Sequence, residues 1–133
     1  MASTTMILCD TNVLIEFLKG NPTIVAELRA IGRERLAISV ITKAELFYGA
    51  LNKQELRFLK RHLDPLECLP IDARVSEAFI QLMEAYALSH RLSIPDALIG
   101  ATALVWNLEL FTLNVKDFRF LPDIKLYPSS AFS

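Results

Sequence analysis

The chain has only two cysteines and two histidines among its 133 residues. Cys9 and Cys68 each sit inside a short apolar run, so both read as small buried hydrophobes rather than as a disulfide or metal ligands. Without clustered Cys or His, zinc-type ligand spacing is missing. An excess of charge of one sign is missing too, since 14 basic residues face 15 acidic ones for a net charge of −1. That balance argues against a DNA-binding protein held by bulk positive charge, and it leaves open an enzyme that offsets carboxylates with metal ions. No basic n-region precedes an apolar stretch at the start of the chain, so no signal peptide is expected. The apolar segment 94–106 carries Asp96 and is too short to span a bilayer. Internal repeats, low-complexity tracts and linkers are absent from the sequence. What is present is a 53% hydrophobic composition. It implies one compact domain over residues 1–133, burying roughly two-thirds of its unfolded surface. A cytoplasmic protein without membrane association is the expectation.

The organising stretch is 4–12, Thr-Thr-Met-Ile-Leu-Cys-Asp-Thr-Asn. The apolar run Met6–Cys9 lacks alternation, as expected of a central strand covered on both faces. It stops at Asp10, and Thr11 or Asn12 is suited to N-cap a following helix over Val13–Lys19. Helical spacing predicts further helices over Thr23–Ile31, Ile41–Leu51, Lys53–Leu63, Asp72–His90 and from Ser93 to about Trp106. Short strands are predicted over Leu36–Val40, Leu66–Leu69, Leu108–Leu113 and Ile124–Tyr127, with a turn over Asn114–Phe118. Strands alternating with helices indicate an α/β domain with a mainly parallel sheet. Trp106, Phe111, Phe118 and Phe120 are expected in the core.

Polar residues fall beside predicted strand ends and helix starts: Asp10, Glu45, Asp96 and the pair Asn114 and Asp117. Each has a structural explanation. Asp10 can help cap the next helix. Thr42-Lys43-Ala44-Glu45 and Ser93-Ile94-Pro95-Asp96 both fit capping boxes. Asp117 can stabilise a helical turn. Their context supports a second reading. In a parallel α/β sheet the elements that follow the strands start at one edge, so these carboxylates can converge. Crowded carboxylates repel one another and call for a cation. An all-oxygen ligand set points to Mg²⁺ or Mn²⁺.

Four segments also carry a resemblance: Asp10-Thr11-Asn12-Val13-Leu14, Thr42 to Gly49, Asp96 to Ala103, and Thr112 to Phe118. In this order, and at this chain length, they resemble the successive motifs of PIN-domain ribonucleases. The chain is most similar to the VapC-type toxins of bacterial toxin–antitoxin modules. The resemblance implies a three-layer α/β/α sandwich around a parallel sheet of four or five strands. It also implies Mg²⁺- or Mn²⁺-dependent cleavage of RNA. By motif, Asp10, Glu45 and Asp96 match the acidic metal-site positions. Some members have an acid where Asn114 stands, so either Asn114 or Asp117 completes the set. Gly100 stands where the family often has Ala.

The implied chemistry is hydrolysis of a phosphodiester by water activated on a cation. Asp10 and Asp96 are expected as principal ligands, with Glu45 binding metal or orienting the water. Thr11, Asn12 and Thr112 are candidates to fix the carboxylates by hydrogen bonds, or else act only as capping and turn residues. Lys43 and Lys116 either guide phosphates or are simply solvated. His62 and His90 receive no role. The family further implies an RNA substrate, a homodimer, and a small antitoxin whose C-terminal segment lies along the toxin and reaches the acidic pocket. The helices over Thr23–Arg35 and Lys53–Leu63 are the candidate groove for it. Two other readings compete. One is a phosphohydrolase with Asp10 as nucleophile, which would want a second Asp where Asn12 stands. The other is a PIN-like domain that only binds RNA or protein.

Overall fold

The computed structural model describes residues 5–130, so Thr4 of the organising stretch lies outside the described residues. Its strands are β1 (Ile7–Cys9), β2 (Leu36–Ser39), β3 (Glu67–Leu69), β4 (Glu109–Phe111) and β5 (Lys125–Leu126). Its helices are α1 (Thr11–Leu18), α2 (Pro22–Ile31), α3 (Val40–Tyr48), α4 (Lys53–Leu63), α5 (Ala73–Tyr86) and α6 (Ile94–Trp106). All four strand pairings are parallel, in the order β3-β2-β1-β4-β5. The predicted α/β/α sandwich is therefore present, with five strands.

Strand alternation explains why β1 has no polar face. Ile7 and Cys9 point into one apolar layer with Val13, Leu14, Ile24, Leu28 and Phe111. Leu8 points into the other, with Ala37, Val75, Leu110 and the buried face of α6. Each layer covers one side of the sheet, as parallel sheets require. Helix α6 has a close-packed buried face of Ala97, Gly100, Ala101 and Ala103. At Gly100 an added Cβ would lie 2.9 Å from Leu121 Cδ1, so the missing side chain makes room for that buried leucine.

The chain steps outward from β1 to β2 to β3, then crosses back to place β4 on the other side of β1. The crevice between the carboxyl ends of β1 and β4 is thus the topological switch point, where open α/β sheets bind ligands. Asp10 immediately follows β1, and Thr112 follows β4.

Several local expectations need correction. The N-cap of α1 is Asp10, not Thr11 or Asn12, because the helix starts two residues earlier than its apolar spacing suggests. Thr42 does not cap α3. Ser39 does, accepting from Ile41 N–H at 3.1 Å, and Thr42 is buried inside the helix. Helix α5 ends at Tyr86, short of His90. Trp106 is 39% exposed and lies beside the Arg74 guanidinium, 5.5 Å from the ring centre. Phe111 and Phe118 are fully buried, while the half-buried Phe120 stacks on His90 at 4.1 Å. Cys9 is buried, Cys68 is only half-buried at the edge strand, and neither forms a disulfide. No helix among the described residues is long and apolar enough to cross a membrane.

Candidate active site

Asp10 is 4% exposed, and both of its carboxylate oxygens are held. Oδ1 accepts from Thr11 N–H at 2.7 Å, and Oδ2 accepts from the Thr112 hydroxyl at 2.8 Å. Asp10 therefore does cap α1, but the cap uses only one of its oxygens. Its own N–H pairs with Phe111 C=O at 2.9 Å, which fixes the residue between β1 and β4. Thr112 in turn accepts from Asn114 N–H at 3.0 Å. Asn12 Oδ1 accepts from Leu113 N–H at 3.2 Å, so Asn12 ties α1 to the exit of β4. An acid in place of Asn12 would gain the same contact, but the amide present here offers no second carboxylate for a phosphohydrolase.

Glu45 reaches the same crevice from α3. The Thr11 hydroxyl donates to Glu45 Oε1 at 2.8 Å. Thr11 Oγ1 also lies 3.0 Å from the buried Thr42 hydroxyl. A hydroxyl carries one proton, so with Thr11 serving Glu45 the Thr42 proton completes the chain Thr42–Thr11–Glu45. Thr42 is the residue the sequence reading placed wrongly. Its pattern fits a cap, and only the tertiary partner reveals its role.

Asp96 stands in the first turn of α6, where Ser93 Oγ accepts its backbone N–H at 3.2 Å. This half of the capping box is present. Its carboxylate is pushed above the ordinary range chiefly by burial, eased by a hydrogen bond with Ser93 and raised further by Asp117 and Glu45. Asp10 is pushed up to about 6 by burial, despite the Thr112 and Thr11 hydrogen bonds, with Asp96 and Glu45 adding repulsion. These mutual effects bring Asp10, Glu45, Asp96 and Asp117 into one electrostatic neighbourhood. Asn114 is exposed and its side chain makes no capping bond. Asp117, the other candidate for the fourth position, is near enough to Asp96 to raise its carboxyl. Among the described residues no three Asp, Glu, His or Cys side chains stand close enough to enclose an ion without adjustment. The donor set itself, all oxygen and all anionic, matches a hard divalent cation.

The other residues singled out lie apart from this centre. Lys43 is half-buried and pairs with Asp64 at 3.5 Å. Lys116 is exposed. His62 sits against Phe58, 4.4 Å between ring centres, and its Nδ1–H donates to Phe58 C=O at 3.0 Å. His62 lines a groove of about 450 Å³ between α2 and α4, together with Leu28, Arg29, Arg61 and Leu66.

Comparison with known proteins finds relatives along nearly the whole chain. The PIN-domain family model matches residues 7–121. The chain is 36% identical over 124 residues to Ribonuclease VapC10 of Mycobacterium tuberculosis, covering 90% of this chain and 91% of that one. Among solved structures, a toxin–antitoxin complex from Klebsiella pneumoniae is 33% identical, with a TM-score of 0.76 over 89% of this chain and 94% of the other. The DNA-bound VapBC of Salmonella typhimurium is 26% identical, with a TM-score of 0.83 over 92% and 97%. A carboxylate crevice at the switch point of a five-stranded parallel sheet, and these relatives along nearly the whole chain, make one statement: the chain belongs to the PIN-domain family, in its VapC branch.

Proposed function

We propose that this protein is a divalent-metal-dependent endoribonuclease, the toxin of a toxin–antitoxin pair, acting in the cytoplasm. The observation that carries the reading is the buried Asp10 at the switch point, whose carboxyl is repelled by Asp96 and Glu45, with Asp117 in turn repelling Asp96. Capping accounts for only one oxygen of Asp10 and not for the neighbouring acids, whose mutual repulsion a cation would relieve. Asp10, Glu45 and Asp96 would hold Mg²⁺ or Mn²⁺, with Asp117 rather than Asn114 as the fourth acid. When bound, such a cation neutralises a backbone phosphate and lowers the pKa of water enough for hydrolysis near neutral pH.

The chain's own residues prepare that site. The Thr11 N–H and Thr112 hydroxyl fix the plane of Asp10. The Thr11 hydroxyl fixes Glu45. Fixing both before substrate arrives removes reorganisation that would otherwise slow the reaction. The groove between α2 and α4 offers an antitoxin segment an apolar floor with arginines at its rim. The relatives described as toxin–antitoxin complexes support that partner.

The test is cleavage of labelled structured and single-stranded RNA by the purified chain in Mg²⁺, in Mn²⁺ and in excess EDTA, with Asp96→Asn alongside. Cutting that needs metal and vanishes in the variant is expected. Metal-independent cutting, or equal cutting by the variant, would sink the proposal.

A further inference from the structure

Beside the acidic crevice, on the far side of Asn12, lies a cleft of about 520 Å³. That is within the roughly 300–1,000 Å³ of small-molecule sites. Asn12 and Leu113, the pair that ties α1 to β4, line the cleft, and they lie close in sequence to Asp10 and to the Thr112 that holds Asp10. The other walls used here are Glu16 on α1, Thr23 and Ile24 at the start of α2, and Ser130 from the C-terminal tail. The tail is not loosely laid against the domain. Glu27 of α2 accepts from the Ser129 hydroxyl at 2.5 Å and from both the Ser130 N–H and hydroxyl at 2.6 Å. A strap built in this way gives the cleft a fixed outer wall.

The lining chemistry selects the occupant. Among the described residues Glu16 is the only charged one in the lining, and as an anion it disfavours a phosphate there. Apolar Ile24 and Leu113 together with the Thr23 hydroxyl suit a flat, polar-edged ring. Glu16 is already oriented. The Asn21 amide donates to its Oε1 at 3.2 Å, and Lys19 lies 3.7 Å from Oε2. Its side chain is 32% exposed, and the carboxylate retains accepting capacity toward an amino group, as carboxylates do toward the cytosine amine.

We propose that this cleft is a nucleobase subsite flanking the scissile phosphate, selective for a base with an exocyclic amino group through Glu16, and walled by the Glu27–Ser129–Ser130 strap. The inference rests on the nuclease reading and adds a specificity element to it. Glu16 acts on substrate choice, and Glu27 is a positioning residue.

The test maps the bases on either side of each cut in a randomised single-stranded RNA, with Mg²⁺, for the wild type, Glu16→Gln and Glu27→Ala. Wild type is expected to disfavour uracil at one flanking position by about tenfold, the worth of a charged hydrogen bond. Glu16→Gln keeps the Asn21 contact but presents an N–H donor, so the preference should turn toward uracil and its O4 acceptor. Glu27→Ala should broaden the preference. Glu16→Gln should leave Mn²⁺ binding unchanged and the melting temperature within a degree or two, whereas Glu27→Ala should leave Mn²⁺ binding unchanged but lower the melting temperature by several degrees as the strap is released. A purely structural role for Glu16 would lower stability without reversing base choice. Cutting by Glu16→Gln with the wild-type base profile would overturn the subsite and leave the nuclease standing. No cutting by the wild type would overturn the nuclease reading, and the subsite with it.

Discussion

Helices α3 and α6 deliver a carboxylate to the same crevice by different means. Asp96 lies in the first turn of α6, and its position follows from its own helix: Ser93 caps its N–H, and the side chain projects from the helix start. Glu45 lies in the second turn of α3, whose start is capped separately by Ser39. It is held instead by Thr11 of α1, 34 residues away in sequence. One acid is placed by local backbone geometry and the other by a tertiary hydrogen bond. The lesson is that similar four-residue patterns can end in opposite arrangements, because the cap that wins is the one nearest the strand end.

The sharpest way to probe that contrast is Asp96→Asn. It keeps the backbone N–H that Ser93 accepts, yet removes a ligand charge. Cleavage should fall by about a thousandfold, the several kcal/mol that charge stabilisation by a metal supplies. The metal-free protein should be as stable as wild type or more so in a thermal melt, because one repelling charge is gone. A marked drop in melting temperature would mean that the carboxylate itself serves the cap.

Thr11→Val attacks the other arm. It removes the donor to Glu45 while keeping shape, and should reduce Mn²⁺ affinity about 10- to 100-fold by titration. Stability should fall by only about 1 kcal/mol.

A third probe uses acid. Asp10 titrates in the fold at about 6, above its ordinary value, and Asp96 is also raised. The folded state therefore holds these protons more tightly than the unfolded chain. The stability they confer is fully present below the ordinary carboxylate range, and it is lost as pH rises through about 6. In EDTA, chemical denaturation should show the protein about 1–2 kcal/mol more stable at pH 5 than at pH 7 from these groups. Added Mn²⁺ should flatten or reverse the trend.

The smallest effect belongs to Ser93→Ala. Loss of the cap should cost about 1 kcal/mol in a melt, with cleavage within a few-fold of wild type.

The same contrast explains what the sequence disclosed. Elements with a strong local signature were legible: β1 as an unbroken apolar run, α6 from Ser93-Ile94-Pro95, and the five-strand parallel arrangement from alternation of strands and helices. Asp10 and Asp96 stood at visible boundaries. Thr42 was misread because its partner Thr11 is 31 residues distant, and the Thr-x-x-Glu spacing is satisfied equally by a cap that does not form. The choice between Asn114 and Asp117 hung on the path of a short turn, which no propensity fixes. The strap from Ser129 and Ser130 to Glu27 had no signal at all, since it joins residues 102 and 103 apart.

Thr112 meets Asp10 across 102 residues of chain, and this separation has a consequence in time. On the ribosome β1 is made first, but its neighbour β4 arrives a hundred residues later. At about 5–20 residues per second, Asp10 waits roughly 5–20 seconds for the hydroxyl that holds it. During that interval the nascent chain has no assembled carboxylate centre. The central position of the earliest strand delays the activity until the domain is nearly complete.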